Sequence, residues 1–248
     1  MNRFFIDREQ IIDGEIQIIG KDVKHIKNVL RLKPKDKIEL VCEGQLYISE
    51  ILEIRPDMVK ALIVSASKGK SEPPVHIALY QGIAKGSKME YIIQKATEIG
   101  VKEVYPLITD RTIVRIKDKK KEQNKIKRWN SIAEEASKQS KRDLLPVVND
   151  IISFGEMIEF LKGEKNIIVP YEMEKSYGLK ESLKNVAEGR INIIIGPEGG
   201  FTEEEVNMLK DIGGQIVTLG PRILRTETAG LVVASITLYE LGDLGVVR

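Results

Sequence analysis

The sequence predicts an α/β domain built on a parallel sheet and preceded by a small β-barrel, and three features carry that reading. Residues 1–65 hold short alternating runs separated by turn residues, the pattern of a small all-β domain. From Val75 onward, continuous apolar runs alternate with segments of helical period, as in strand-helix-strand units whose strands lie parallel. Between Ile191 and Ala229 two such units follow one another, and each buried run is halted by Gly-Pro.

In the first region the expected strands are Phe4–Ile6, Glu15–Ile19, Lys37–Cys42, Gln45–Ile54 and Met58–Val64. Val23, Ile26, Val29 and Leu30 mark one helical insert. Small barrels of this kind often carry nucleic acid, and a structural or dimerisation role fits the pattern equally. Arg3, His25 and Arg31 suit a phosphate-facing surface, with ordinary solvated charge open for each. Residues 66–74, rich in Ser, Lys, Gly and Pro, have the composition of a linker, so domains are expected over 1–70 and 74–248.

Val75–Tyr80 reads as a buried strand, and Ser87 with Glu90 has the spacing of a capping box. Met89, Ile92, Ile93, Ala96 and Ile99 mark a helix closed by Gly100, before Val101–Ile108 returns as strand. A helix between two strands implies a right-handed crossover and a parallel pair. The loop from Gln81 to Lys88 holds two glycines with Lys85 and Lys88, and matches neither the P-loop nor the dinucleotide fingerprint.

Charge is unevenly spread. Residues 111–142 hold 12 Lys and Arg against 4 Asp and Glu, whereas residues 150–248 hold 10 against 16. That excess, which includes Arg111, Arg115, Arg128 and Arg142, favours an anionic partner over a merely solvated face. If roughly six of these cations met phosphates, binding should weaken about a thousandfold between 50 and 200 mM salt. Lys119-Lys120-Lys121 is expected in an exposed flexible loop. Ile126, Trp129, Ile132, Ala133 and Ala136 form an apolar stripe on the helix that follows, with Trp129 as core rather than a base-stacking platform.

Ile167–Val169 is expected as strand and Leu179–Val186 as helix. The next strand, Ile191–Ile195, ends at Gly196-Pro197. Thr202 and Glu205 then form a capping box, with Phe201 and Val206 as its hydrophobic staple. Gln215–Leu219 is another buried strand, broken by Gly220-Pro221, and Thr226–Leu241 is a helix apolar nearly all round. The loops Pro170–Glu174, Gly196–Gly200 and Gly220–Thr226 therefore converge on one edge of the sheet, where open α/β folds bind ligands.

Composition narrows the chemistry. One cysteine, Cys42, excludes an internal disulfide framework, and with only His25 and His76 no ligand cluster for a soft metal can form. No run approaches about 18 apolar residues, so no membrane span is expected. The N-terminal residues lack the apolar stretch of a signal peptide, and a cytoplasmic location is expected.

Several stretches together carry a resemblance. These are Arg3-Phe-Phe, His25 with Val29-Leu-Arg31, Gly86-Ser-Lys-Met, Arg111-Thr-Ile-Val, Lys127-Arg-Trp, Ala133-Glu-Glu-Ala and Gln139-Ser-Lys-Arg. With Ile195-Gly-Pro-Glu-Gly-Gly-Phe and Leu219-Gly-Pro-Arg-Ile-Leu-Arg-Thr-Glu-Thr-Ala, the chain resembles the RsmE family of SPOUT methyltransferases over nearly its whole length. Lys24 stands before His25 where that family often has a second histidine.

The resemblance implies a PUA-like N-terminal barrel, a SPOUT domain with a C-terminal trefoil knot, and a homodimer. It implies S-adenosylmethionine as cofactor, no metal, and methylation of N3 of a uridine in 16S ribosomal RNA of the small ribosomal subunit. The cofactor residues it implies are Tyr171, Glu172, Gly196, Pro197, Glu198, Gly199, Gly200, Leu219, Gly220, Ile223, Leu224, Arg225 and Thr226. Lys85 and Lys88 join the arginines above as RNA-binding residues. Because N3 must lose a proton, Arg225 is expected to stabilise charge on the uracil oxygens while Glu198 or Glu227 accepts or orients that proton. Pairing of Arg225 with Glu227 as a loop brace is the alternative. A SPOUT enzyme acting on transfer RNA or a ribose hydroxyl, or a non-catalytic assembly factor, are the rival functions.

Overall fold

Asp13-Gly14 and Glu43-Gly44 each place two successive residues at positive φ, 48° and 80° in the first pair and 47° and 80° in the second. That is the geometry of a two-residue hairpin loop whose twist matches its strands. In the computed structural model, which describes residues 1–114, 118–187 and 189–246, these hairpins build the first of two compact units. The first comprises Met1–Glu72 and Ser137–Leu145, and the second Pro73–Ala136 and Pro146–Arg248.

The first unit holds β1 (Arg3–Phe5), β2 (Ile11–Ile12), β3 (Glu15–Ile19), β4 (Lys37–Cys42), β5 (Gln45–Ile54) and β6 (Met58–Lys68). A helical turn α1 (Lys21–Lys24) widens into a π-helical turn over His25–Val29. Among the described residues the sheet order is β1-β4-β5-β6-β3-β2, with β1 parallel to β4 and every other pair antiparallel. Phe4, Ile16, Ile18, Val23, Ile26, Ile38, Leu40, Ile51 and Val59 fill its core.

The returning segment, residues 137–145, is bound to this unit by charge. Arg3 is only 8% exposed, and its guanidinium donates to Glu39 at 2.8 Å, to Asp143 at 2.8 Å and to the Arg142 carbonyl at 2.9 Å. Arg142 pairs with Glu72 at 2.6 Å, Lys138 with Asp22 at 2.8 Å and Lys141 with Glu39 at 2.9 Å. Asp143 also accepts from the Ser71 N–H at 2.8 Å. The stretch read from composition as a linker is therefore ordered: β6 runs on to Lys68, and Ser71 and Glu72 are fixed by hydrogen bonds.

In the second unit β7 (His76–Gly82), helix α2 (Lys88–Ile99) and β8 (Glu103–Ile108) form the expected crossover unit. The helix α3 (Lys119–Ser140) follows, then β9 (Val147–Val148), β10 (Ile152–Ser153), α4 (Phe154–Leu161) and β11 (Asn166–Pro170). The chain ends with α5 (Leu179–Leu183), β12 (Arg190–Ile195), α6 (Glu203–Asp211), β13 (Gln215–Val217) and α7 (Thr226–Glu240). All pairs in this sheet are parallel, in the order β10-β8-β7-β12-β11-β13, with β9 also on β8.

Both sheet faces are covered, so its central strands read as near-continuous apolar runs rather than alternating ones, with Gln81, Asn166 and Asn192 as buried polar residues among them. Ile77, Leu79, Ile191 and Ile193 pack with α2, α3 and α7 residues such as Ile92, Trp129 and Val233. Ala78, Tyr80 and Ile194 face Met157, Leu161, Val206 and Leu209 of α4 and α6.

Two local expectations are corrected. Lys119–Lys121 is the first turn of α3 rather than a loop, because the Asp118 carboxylate accepts from the Lys120 N–H at 2.9 Å and caps the helix. The Ser87–Glu90 capping box does not form: Ser87 has helical dihedrals and no side-chain cap bond, and Glu90 pairs with Arg128 at 2.8 Å.

Where β7 ends, Gly82 lies against the Gly196-Pro197 peptide, and a Cβ at position 82 would stand 2.4 Å from the Pro197 nitrogen. Gly82→Ala should therefore push that turn outward and cost about 2 kcal/mol of stability, read by urea unfolding. Arg3→Ala, which leaves Glu39 and Asp143 without their buried partner, should cost about 3 kcal/mol in the same experiment. Burial pushes the Glu39 carboxyl up, but hydrogen bonds from Lys141 and Arg3 outweigh it and hold the carboxyl below its usual range. Its share of stability is thus present above the ordinary carboxylate range and lost as acid takes the pH through the lower folded value. The acid limb of a pH-stability curve should flatten in Glu39→Gln.

Candidate functional site

Parallel strands deliver every following loop to one edge, and at that edge the loops after β11, β12 and β13 line a single cavity of about 920 Å³. Tyr171, Glu172 and Glu174 come from the first loop, Gly196 to Phe201 from the second, and Leu219 to Glu227 from the third. Lys88, at the start of α2, completes the wall.

The second loop folds tightly on itself. The Gly200 N–H donates to the Pro197 carbonyl at 3.0 Å, and Gly200 has φ 68°. A Cβ there would stand 2.9 Å from Glu172 Oε1, and one at Gly199 would stand 3.0 Å from the Arg111 Cβ. Only glycine leaves this backbone open to a ligand. Helix α6 begins directly after it. Thr202 Oγ1 accepts from the Glu205 N–H at 3.1 Å, and Glu205 accepts from the Thr202 N–H at 2.8 Å. The other Glu205 oxygen accepts from the Asp110 N–H at 3.0 Å, tying in the segment after β8.

The first loop is shaped by Glu174. Its carboxylate accepts from the Ser176 hydroxyl and from the N–H groups of Lys175, Ser176 and Tyr177, which pulls its pKa down to about 2. Beside it, burial and the neighbouring Glu172 push the Tyr171 hydroxyl up, so it is a neutral phenol.

Two carboxylates and a lysine meet at the wall. Lys88 Nζ lies 3.4 Å from Glu198 and 3.5 Å from Glu227. Burial raises the Glu198 pKa, but the Lys85 N–H at 3.0 Å and Lys88 outweigh it and keep the group below the usual range. Glu227 differs. Its Oε2 is buried and accepts no hydrogen bond from a described residue. Arg225, the residue capping α7, makes no ion pair with any described residue, so it does not brace Glu227.

The predicted cofactor residues Tyr171, Glu172, Gly196, Pro197, Glu198, Gly199, Gly200, Leu219, Gly220, Ile223, Leu224, Arg225 and Thr226 all line this one cavity, together with Glu227. The predicted RNA contacts do not share one environment. Arg3 and Arg142 are buried and spent on internal ion pairs, because the segment that carries Arg142 packs into the first unit. They present no surface to a phosphate. His25 lies edge-on to Phe4 with centroids 6.1 Å apart, and Arg31 is exposed. Lys85 is exposed, Arg128 pairs with Glu90, and Arg111 donates to the Gly199 carbonyl at 3.1 Å, clamping the glycine loop. Arg115 lies outside the described residues. Sequence reasoning missed Glu174 as the brace of the first loop, Arg111 as a clamp and Lys88 as part of the cavity wall. In sequence each is an ordinary loop charge. Among the described residues no group of three or more His, Cys, Asp or Glu is placed to hold a metal ion, and no helix is long and apolar enough to cross a membrane.

Comparison with known proteins agrees with this geometry. Residues 71–238 match the model of an RNA methyltransferase domain, and residues 18–64 match that of an RNA methyltransferase PUA domain. The chain is 34% identical to ribosomal RNA small subunit methyltransferase E of Bacillus subtilis, with 97% of each chain covered. It superposes on a ribosomal RNA small subunit methyltransferase E from Neisseria gonorrhoeae, solved with S-adenosylmethionine, with a TM-score of 0.88 at 30% identity, covering 98% of this chain and 99% of the other. A methyltransferase from Legionella pneumophila, also solved with its bound cofactor, gives 0.84 at 28% identity over 96% and 97% of the two chains. With its parallel-sheet cavity and its PUA-like first unit, this chain belongs to the ribosomal RNA small subunit methyltransferase E family of RNA methyltransferases.

Proposed function

We propose that this protein methylates N3 of a uridine in 16S ribosomal RNA of the small subunit, with S-adenosylmethionine as donor. The observation that carries the reading is the three-loop cavity. Its volume, about 920 Å³, lies within the range of small-molecule sites, and glycines at its wall leave backbone open to a nucleoside. The buried Glu227 Oε2 has Lys88 beside it at 3.5 Å and accepts no hydrogen bond from a described residue. Tyr171, Glu172, the glycine loop and Leu219–Thr226 would hold the cofactor. When bound, its sulfonium supplies an electrophilic methyl group and needs no metal. Relatives named for ribosomal RNA methylation, and two solved with this cofactor, support donor and substrate class.

Uracil N3 lies between two carbonyls and becomes nucleophilic once it loses its proton. Glu198 accepts hydrogen bonds from the Lys85 N–H and from Lys88, whereas Glu227 Oε2 meets Lys88 only as an ion pair at 3.5 Å, so Glu227 is the better proton acceptor. The exposed Arg225 guanidinium is free to stabilise charge on the uracil oxygens.

The wider architecture belongs to the same proposal. Residues 1–70 would bind RNA, and residues 74–248 would carry cofactor binding, catalysis and dimerisation, in the cytoplasm with the ribosome. A trefoil knot is supported by the crossing order. β13 lies beyond β11 at the edge of the sheet, yet α7 begins beside Gly196 at the end of β12, so residues 218–225 pass back across the strand ends. A homodimer is supported by Ile236 and Tyr239, which α7 leaves 38% and 65% exposed.

Labelled S-adenosylmethionine incubated with small subunits lacking the modification should yield 3-methyluridine by mass spectrometry. Label on a ribose or in transfer RNA would refute the target. Arg225→Ala should lower kcat about a hundredfold at saturating S-adenosylmethionine, and Glu227→Gln should lose more activity than Glu198→Gln. Wild-type turnover in Arg225→Ala would remove its role. With Lys138, Lys141 and Arg142 spent internally, about five cations remain along α3, at Lys119, Lys120, Lys121, Lys125 and Lys127. RNA binding should then weaken about 500-fold, rather than a thousandfold or more, between 50 and 200 mM salt.

A further inference from the structure

Gln81, the next-to-last residue of β7, is fully buried and lies behind the cavity wall rather than in it. Its Nε2 donates to Thr226 Oγ1 at 2.9 Å and to the Gly82 carbonyl at 3.1 Å. The Thr226 hydroxyl in turn donates to the Gly196 carbonyl at 2.6 Å. A hydroxyl has one proton, so Thr226, having given its proton to Gly196, can only accept from Gln81. Turning the amide over would set Oε1 against two acceptor oxygens with no proton between them. The relay therefore runs one way, from amide to hydroxyl to carbonyl, and it joins the ends of β7 and β12 to the first residue of α7.

The arrangement has a cost. Gln81 Oε1 is buried without a hydrogen-bond partner among the described residues, and α7 passes it with a glycine, since a Cβ at Gly230 would lie 3.2 Å from that oxygen. A buried amide with one oxygen unsatisfied is a net expense in a core, where an apolar side chain of equal size would fit. Its benefit lies in what the other end of the amide holds.

We propose that Gln81 is a positioning residue for the cofactor cradle: through Thr226 it holds the Gly196 carbonyl, and with it the glycine loop, in the geometry that binds S-adenosylmethionine. This rests on the reading of the cavity as the cofactor site. No other side chain of similar size performs the task. Methionine fills the space but cannot donate. Glutamate accepts the Thr226 proton, which takes it away from Gly196 and buries a charge.

The test uses the full chain and four variants: Gln81→Met, Thr226→Val, the double variant and Thr226→Ser. Calorimetry with S-adenosylmethionine, without RNA, measures affinity, and hydrogen exchange of residues 196–201 in the cofactor-free protein measures the loop directly. Gln81→Met and Thr226→Val should each weaken binding roughly tenfold and speed exchange in that loop. The double variant should fall within about twofold of either single one, because both break the same relay. Thr226→Ser, which keeps the hydroxyl, should bind within about twofold of wild type. Unchanged affinity and exchange in Gln81→Met and Thr226→Val, or losses that multiply in the double variant, would overturn the relay. If Gln81→Met does not fold, Thr226→Val against Thr226→Ser decides by the same readouts. A wild-type chain that binds no S-adenosylmethionine would overturn the cofactor reading instead, and the exchange rates would still judge the relay.

Discussion

Where β7 and β12 end side by side, backbone touches backbone. A Cβ at Gly82 would stand 2.4 Å from the Pro197 nitrogen, so the glycine at 82 is what lets the turn after β12 lie against the end of β7. The cavity depends on that approach. Its wall is made of loops, and loops hold a shape only as well as the strand ends beneath them. Here the parallel sheet brings three loops to one edge, and hydrogen bonds internal to each loop do the rest: Glu174 with three successive N–H groups, Pro197 with Gly200, Thr218 with Gly220. The order of the site is borrowed from the core below it.

Charge follows a similar division between what is spent and what is available. The basic stretch 111–142 looks uniform in sequence, yet its last cations, the buried Lys138 and Arg142 and the half-buried Lys141, pair with Asp22, Glu72 and Glu39 in the first unit. Their energy goes into attaching residues 137–145. The Lys138 and Arg142 pairs are withdrawn from water, where removing one partner is costly because the other is left stranded. The lysines earlier in α3 are exposed and remain for an anionic partner.

At the cavity wall the same logic separates two glutamates that sequence treats alike. Glu198 is held by a backbone N–H and Lys88, and those donors outweigh the penalty of burial. Glu227 meets Lys88 only at 3.5 Å, through a buried Oε2 that accepts no hydrogen bond from a described residue. An acceptor in that state gains most from an incoming donor.

Much of the fold was legible because local signals and tertiary structure agree. Near-continuous apolar runs such as Ile191–Ile195, broken only by Asn192, identify doubly covered parallel strands, and Thr202 with Glu205 marks a real helix start, since a capping box is satisfied within four residues. The glycine loops were readable as a site for the same reason: open backbone at a strand end is a local property. Ser87 and Glu90 show the limit of such signals, because the same spacing failed once Arg128 offered Glu90 a partner 38 residues away. Nor does any local pattern separate Arg3 from a surface arginine, or mark Gln81 as more than the first polar residue after a strand. Their roles depend on Asp143 and Thr226, each 140 or more residues distant in the chain. The sequence by itself determined the elements and the edge at which ligands bind, since these follow from period, turn chemistry and chirality. Which charges face solvent, which carboxylate keeps an open acceptor and which amide holds the loop were decided only by tertiary structure, because burial and partnership belong to neighbours that folding alone brings together.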